Sequence, residues 1–222
     1  MKFTKMHGAG NDYLYIDVRD HDDWSTDWPR LSQSMSDRHF GVGADGIILI
    51  EDSGIADLKM RMFNADGSEA EMCGNGIRCV AKYIYDHRIT EKKSLLIDTG
   101  AGPLALEVEV SNGQVQAVRV NMGEPQLEAS RIPTTLSGNS VVNRPLRIGE
   151  RELEVTCVSM GNPHAIFYCD DVENIHLEHI GPLLENHEWF PQRINVHFVQ
   201  RLSDNEVIMR TWERGSGITL AC

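Results

Sequence analysis

Two cysteines of this 222-residue chain close matching stretches of sequence. Cys73 ends "MRMFNADGSEAEMC" (60–73) and Cys222 ends "MRTWERGSGITLAC" (209–222), so Met-Arg-x-aromatic precedes each thiol at the same distance. At that offset of 149 residues "GIILIE" (46–51) lies over "NVHFVQ" (195–200), and at 151 the Gly-Asn of "GAGND" lies over the Gly-Asn of "MGNPH". Three ordered matches at a nearly constant offset read as two copies of one unit. Equivalent thiols facing each other across a pseudo-two-fold axis suit the inversion of a stereocentre without redox chemistry. One thiolate removes a proton from one face of a carbon while the other thiol delivers a proton to the opposite face.

The local sequence supports that use of Cys73. It precedes Ile77, Val80, Ala81, Ile84 and Tyr85, whose spacing is that of one buried helical face. A helix N-terminus presents unsatisfied N–H groups and partial positive charge, which lower a thiol pKa and bind a carboxylate. Gly74 and Gly76 leave those amides unshielded, whereas Asp66, Glu69 and Glu71 would act against a thiolate if close in space. Cys79, on the helix, and Cys157 and Cys169, on apolar strands, read as small buried hydrophobes.

The elements that must position these thiols are mostly strands. "DLKMRMFN" alternates with period two, with Leu58, Met60 and Met62 on one face, and "GIILIE" is a short continuous apolar strand. "LALEVEV" and "QVQAVRV" flank Asn112-Gly113 as a hairpin, and "LEVTCVS", "HAIFYC", "INVHFVQ" and "EVIMRTW" add further strands. Besides the helix after Cys73, helices are expected near Pro29 and over 172–186. The fold class expected is α+β with mainly antiparallel sheet. Two domains are expected, 1–120 carrying Cys73 and 121–222 carrying Cys222. If both copies are whole folding units, the protein should continue for on the order of 45–55 residues past Cys222, so the second domain is expected to be truncated.

Composition narrows the function classes. A net charge of −12 opposes nucleic acid or an anionic membrane as the main partner. The N-terminus lacks the apolar core of a signal peptide, and no apolar run approaches 18 residues, so the cytoplasm is the expected location. Five cysteines at irregular spacing read as free thiols rather than a disulfide framework.

"MHGAGNDY", "FNADGSEAEMCGNGIRC", "VNMGEP", "VSMGNPHAIF" and "WERGSGITLAC" together resemble the diaminopimelate epimerases, from residue 1 to residue 222. The resemblance implies cofactor-independent interconversion of LL- and meso-diaminopimelate, for lysine and peptidoglycan synthesis, with no metal. It implies Cys73 and Cys222 as the catalytic acid/bases, with His164 and Glu213 setting thiol protonation. It further implies substrate contacts from Asn11, Asn64, Asn162, Asn195, Glu213 and Arg214, and a carboxylate cradle half made by the amides of Gly74 and Asn75. The implied fold is two similar domains, each an antiparallel β-barrel around a central helix. The implied partner is a small molecule, and a homodimer is compatible with it.

Two departures from the family pattern stand out. Ile218 occupies a position that is commonly acidic, and the Gly-Ser/Thr pair and helix that follow the second cysteine are absent. A chain of this length is therefore expected to be weakly active or inactive. A proline or hydroxyproline racemase-like enzyme is the alternative within the isomerases, disfavoured by Asn75, where racemases typically carry histidine. A metal module built on Cys157, His164, Cys169, His176 and His179 lacks the paired short loops of a zinc knuckle. "GAGNDY" is not a dinucleotide fingerprint, because Tyr13 replaces its third glycine.

Overall fold

Alternating and continuous apolar runs give the first unit its sheet. In order come β1 (Thr4–Gly8), β2 (Asn11–Asp17), α1 (Trp28–Ser36), β3 (Gly46–Glu51), β4 (Leu58–Asn64), β5 (Glu69–Ala70), α2 (Gly74–Asp86), β6 (Ser94–Asp98), β7 (Leu104–Ser111) and β8 (Gln114–Val120). This computed structural model describes residues 1–19 and 26–220, and the chain divides into two compact units, Met1–Met122 and Gly123–Cys222.

The strands of the first unit run in the order β1-β2-β3-β4-β6-β7-β8, with β5 also on β4. All pairs are antiparallel except β2–β3 and β4–β6. The sheet curls around α2, whose Ile77, Val80, Ala81 and Ile84 are fully buried against Tyr15, Ile48, Ile50, Met60 and the strands β6 to β8. On the other face of β3, Ile47 and Leu49 join Leu14, Ile16 and Phe63 under α1. Covered on both faces, β3 must be apolar at nearly every position, which accounts for "GIILIE". The hairpin turns on Asn112 and Gly113, with φ of 53° and 76°, as Asn-Gly requires.

The second unit contains β9 (Arg144–Ile148), β10 (Arg151–Ser159), β11 (Pro163–Tyr168), α3 (Leu177–Glu185), β12 (Asn195–Arg201), β13 (Val207–Glu213) and β14 (Gly217–Thr219). Its sheet order is β14-β13-β12-β11-β10-β9, antiparallel except for β11–β12. The directions from β1 to β5, antiparallel, parallel, antiparallel, antiparallel, thus recur from β10 to β14. Register recurs as well: Ile47 faces Phe63 in one unit and Val196 faces Trp212 in the other, each 149 residues further on. The same shift carries the limits of α1 onto those of α3. Among its described residues the second unit has one α-helix, α3, packed with Phe167, Val196 and Phe198, and it is the counterpart of α1.

The α+β class expected from the sequence holds, with two local differences. The third helix begins at Leu177 rather than 172, because the carbonyls of Val172 and Ile175 are taken by the Arg210 guanidinium at 3.0 and 2.7 Å. Cys169 lies one residue beyond β11 and is half-buried, whereas Cys79 and Cys157 are buried as expected. No helix among the described residues is long and apolar enough to cross a membrane.

Gly46 marks the tightest joint near the site. A Cβ there would lie 2.1 Å from the Phe63 carbonyl oxygen and 3.0 Å from the Tyr13 ring, so β3 and β4 must separate to admit one. Gly46→Ala is expected to destabilise the protein by about 2 kcal/mol, read from the urea unfolding midpoint. A wild-type midpoint would contradict this packing.

Candidate active site

Cys73 is the N-cap of α2. Its backbone is extended, its carbonyl accepts from Ile77 N at 2.9 Å, and its Sγ accepts from Gly76 N at 3.3 Å. The N–H groups of Gly74 and Asn75 have no carbonyl four residues back in the helix, so this end of α2 offers two donors. Asn11 is buried at the start of β2, with Oδ1 3.4 Å from Cys73 Sγ. An amide oxygen only accepts, so in this contact the Cys73 S–H donates to Asn11.

Asn11 is held in that orientation from its other end. Its Nδ2 donates to Asp45 Oδ2 at 2.8 Å, the Asp12 amide donates to the same oxygen at 3.0 Å, and Arg38 binds Asp45 Oδ1 at 2.8 Å. Arg38 also reaches Asp12 at 2.7 Å, and Lys5 pairs with Asp12 at 3.0 Å. Burial raises the Asp12 pKa, but the bonds from Arg38 and Lys5 outweigh it and hold the carboxyl below its ordinary value. Asn75, also buried, accepts from Arg78 at 2.6 Å and sets its Nδ2 3.5 Å from Asn11 Oδ1. Asn64 ends β4 with its Nδ2 on Ser68 Oγ, 3.0 Å away. Of the nearby carboxylates, Glu69 is tied to Arg61 at 2.8 Å, which pulls its pKa down.

In the second unit four polar side chains form a line. Asn162 Oδ1 lies 2.7 Å from His164 Nε2, His164 Nδ1 lies 2.9 Å from His197 Nε2, and His197 Nδ1 lies 3.1 Å from Thr211 Oγ1. Both rings are buried, and burial pushes His164 down to about 4, with help from the Arg214 charge, and His197 down to about 3, with help from His164. Asn195 is buried opposite His164 in the β11–β12 register, with Nδ2 on the Pro163 carbonyl at 3.0 Å and Oδ1 accepting from Arg214 N at 2.9 Å. The turn of Glu213 and Arg214 is pinned by the buried Glu185, which accepts from Gly215 N at 3.1 Å and Trp212 Nε1 at 2.7 Å. Cys222 lies outside the described residues.

The structure thus gathers Asn11, Cys73, Gly74 and Asn75 at one helix end, and Asn162, His164, Asn195, Glu213 and Arg214 at one end of the second sheet. The family model of diaminopimelate epimerase matches residues 3–128 and 156–222. A diaminopimelate epimerase of Agathobacter rectalis is 53% identical over 229 residues, spanning all of this chain and 80% of the relative. The chain belongs to the diaminopimelate epimerase family. A diaminopimelate epimerase of Methanococcus maripaludis, strain C5, is 53% identical over 222 residues, with 100% of this chain and 79% of the relative covered. Two solved structures share the fold of this diaminopimelate epimerase family member. A probable proline racemase from Agrobacterium radiobacter gives a TM-score of 0.72 at 12% identity, covering 99% of this chain and 72% of its own. A hydroxyproline epimerase from Agrobacterium vitis gives 0.69 at 13%, covering 99% and 71%.

Sequence reasoning on this family member missed Asp45, Arg38, His197, Thr211 and Glu185. His197 left a signal, being an imidazole set between the apolar Val196 and Phe198 of "INVHFVQ". Asp45 left none, because its role depends on β2 and β3 lying side by side. Cys157, His164, Cys169, His176 and His179 form no metal-ligand cluster among the described residues. Burial pushes the Cys157 thiol up to about 12.

Two outcomes follow for stability. Asp45→Ala strips partners from Asn11 Nδ2 and Asp12 N–H and should destabilise by about 1–3 kcal/mol, measured by urea unfolding; an unchanged midpoint would contradict the lock on Asn11. His164 and His197 are neutral when folded, whereas unfolded histidine takes a proton near its model value of 6.5. The unfolded state therefore binds more protons as pH falls below 6.5 toward 4, and the folded state loses stability through that window. Between pH 7 and pH 5 the loss should be roughly 2–4 kcal/mol, and a urea midpoint equal at both pH values would contradict it.

Proposed function

We infer that this chain epimerises diaminopimelate at one α-carbon, with Cys73 and Cys222 as the two acid/bases. Support comes foremost from Cys73, a thiol at a helix N-terminus with its proton directed at a fixed amide oxygen. In the proposed reaction a thiolate takes the α-proton from one face, and the electron pair left behind delocalises into the α-carboxylate. The opposite thiol then protonates the other face, so substrate and product share one oxidation state and no redox cofactor is needed. The amides of Gly74 and Asn75 are proposed to hold the α-carboxylate and stabilise its developing charge.

Diaminopimelate carries an amino-acid head at each end, so one head must be held while the other reacts. Glu213 is suited to its ammonium and Arg214 to its carboxylate, the latter through a planar fork. Asn11, Asn64, Asn162 and Asn195 supply hydrogen bonds, and His164 and Glu213 bias thiol protonation. The reading places the chain in lysine and peptidoglycan precursor synthesis, acting on a small molecule.

Cys73→Ser and Cys222→Ser are each expected to lower kcat/KM for LL-diaminopimelate by about 100-fold or more, measured by conversion to the meso form. Undiminished turnover by either variant would refute the two-thiol mechanism. Proline as substrate should give no racemisation, and turnover of proline at the diaminopimelate rate would favour the racemase reading instead.

A further inference from the structure

We propose that Thr211 and His197 are positioning residues that act through His164 to fix the side-chain amide of Asn162 as a hydrogen-bond donor toward a substrate carboxylate. This rests on the reading above, in which Asn162 contacts diaminopimelate.

The direction of the chain follows from its ends. The amide oxygen of Asn162 only accepts, so His164 Nε2, 2.7 Å away, carries a proton. A neutral imidazole protonated there has a lone pair at Nδ1, which accepts from His197 Nε2–H at 2.9 Å. His197 Nδ1 is then an acceptor in turn, and it takes the hydroxyl proton of Thr211 at 3.1 Å. Both rings are neutral in this arrangement; an added proton would set two N–H donors against each other at the contact between the rings. His164, His197 and Thr211 are 7%, 2% and 3% exposed, so water cannot readily substitute for a missing member. The opposite direction would turn the Asn162 amide over, and it would leave the buried Thr211 hydroxyl needing an acceptor elsewhere.

The internal duplication shows what this orientation decides. Asn11 is the counterpart of Asn162, but it is held at its nitrogen by Asp45 and turns its oxygen toward Cys73. Asn162 is held at its oxygen, which leaves both Nδ2 hydrogens for a ligand. One asparagine therefore offers an acceptor and its equivalent a donor. A donor suits a carboxylate oxygen and disfavours an ammonium, so the chain selects which group of an amino-acid head can lie against Asn162.

The test has two readouts. In protein labelled with 15N-histidine, two-bond proton–nitrogen correlations at neutral pH should show both His164 and His197 as Nε2–H tautomers. An Nδ1–H tautomer or a charged ring at either position would overturn the proposal. In steady-state assays Thr211→Val should raise KM for diaminopimelate about tenfold, the scale of one misdirected charge-assisted bond, with a smaller fall in kcat, and Thr211→Ser should restore KM. A folded Thr211→Val protein with wild-type KM, or one that loses only kcat, would overturn it. Absence of any diaminopimelate turnover by the wild-type chain would sink the functional reading, while the tautomers would still decide the chain.

Discussion

The candidate site in the first unit depends on a single contact, the Cys73 thiol against the Asn11 amide oxygen. That contact requires an amide that cannot turn over, and Asp45 supplies the restraint by holding Asn11 at its nitrogen. Asp45 in turn must be fixed, which is the work of Arg38 on its second oxygen. Asn11 opens β2, and Asp45 immediately precedes β3, so the parallel β2–β3 pairing brings the lock together. Burial of α2 under the curled sheet fixes the depth at which Cys73 caps the helix. Repacking at Gly46, which follows Asp45 and faces Asn64, would therefore reach the thiol through Asp45 and Asn11.

The duplicated units diverge where the proposed chemistry lies. The 149-residue shift places Asn195 at the position of Gly46, Glu213 at that of Asn64 and Arg214 at that of Ala65, and a shift of 151 places His164 at that of Tyr13. The shared framework is apolar and repeated; the differences are polar and concentrated in the second unit. In the reaction proposed, one unit need only cap a thiol and cradle a carboxylate, whereas the other also meets charged groups. Carrying two neutral histidines in the interior lowers stability in acid, and their mutual hydrogen bond offsets part of the desolvation they suffer.

Much of this was legible in the sequence, for reasons that differ by element. α2 announced itself because its apolar spacing and its capping residue are local, and β3 because burial on both faces leaves a continuous apolar run. The repeat was legible because strand pairing constrains spacing as well as residue type. Asp45, Thr211 and Glu185 were not legible, since each acts across strands or between helix and turn, and an isolated acid or hydroxyl carries no spacing signature. The start of α3 was misplaced because Arg210, far along the chain, captures the carbonyls that would have extended it.

The central claim is that inversion at the α-carbon uses two different thiols. Initial-rate epimerisation of LL-diaminopimelate in deuterium oxide tests it most directly, with deuterium at Cα followed separately in substrate and product. Two thiols on opposite faces require that meso product carry solvent deuterium from the first turnovers, while the remaining LL substrate stays protiated. Deuterium entering the LL pool as fast as the meso pool, or product retaining the original α-proton, would mean that one base serves both faces and would contradict the account.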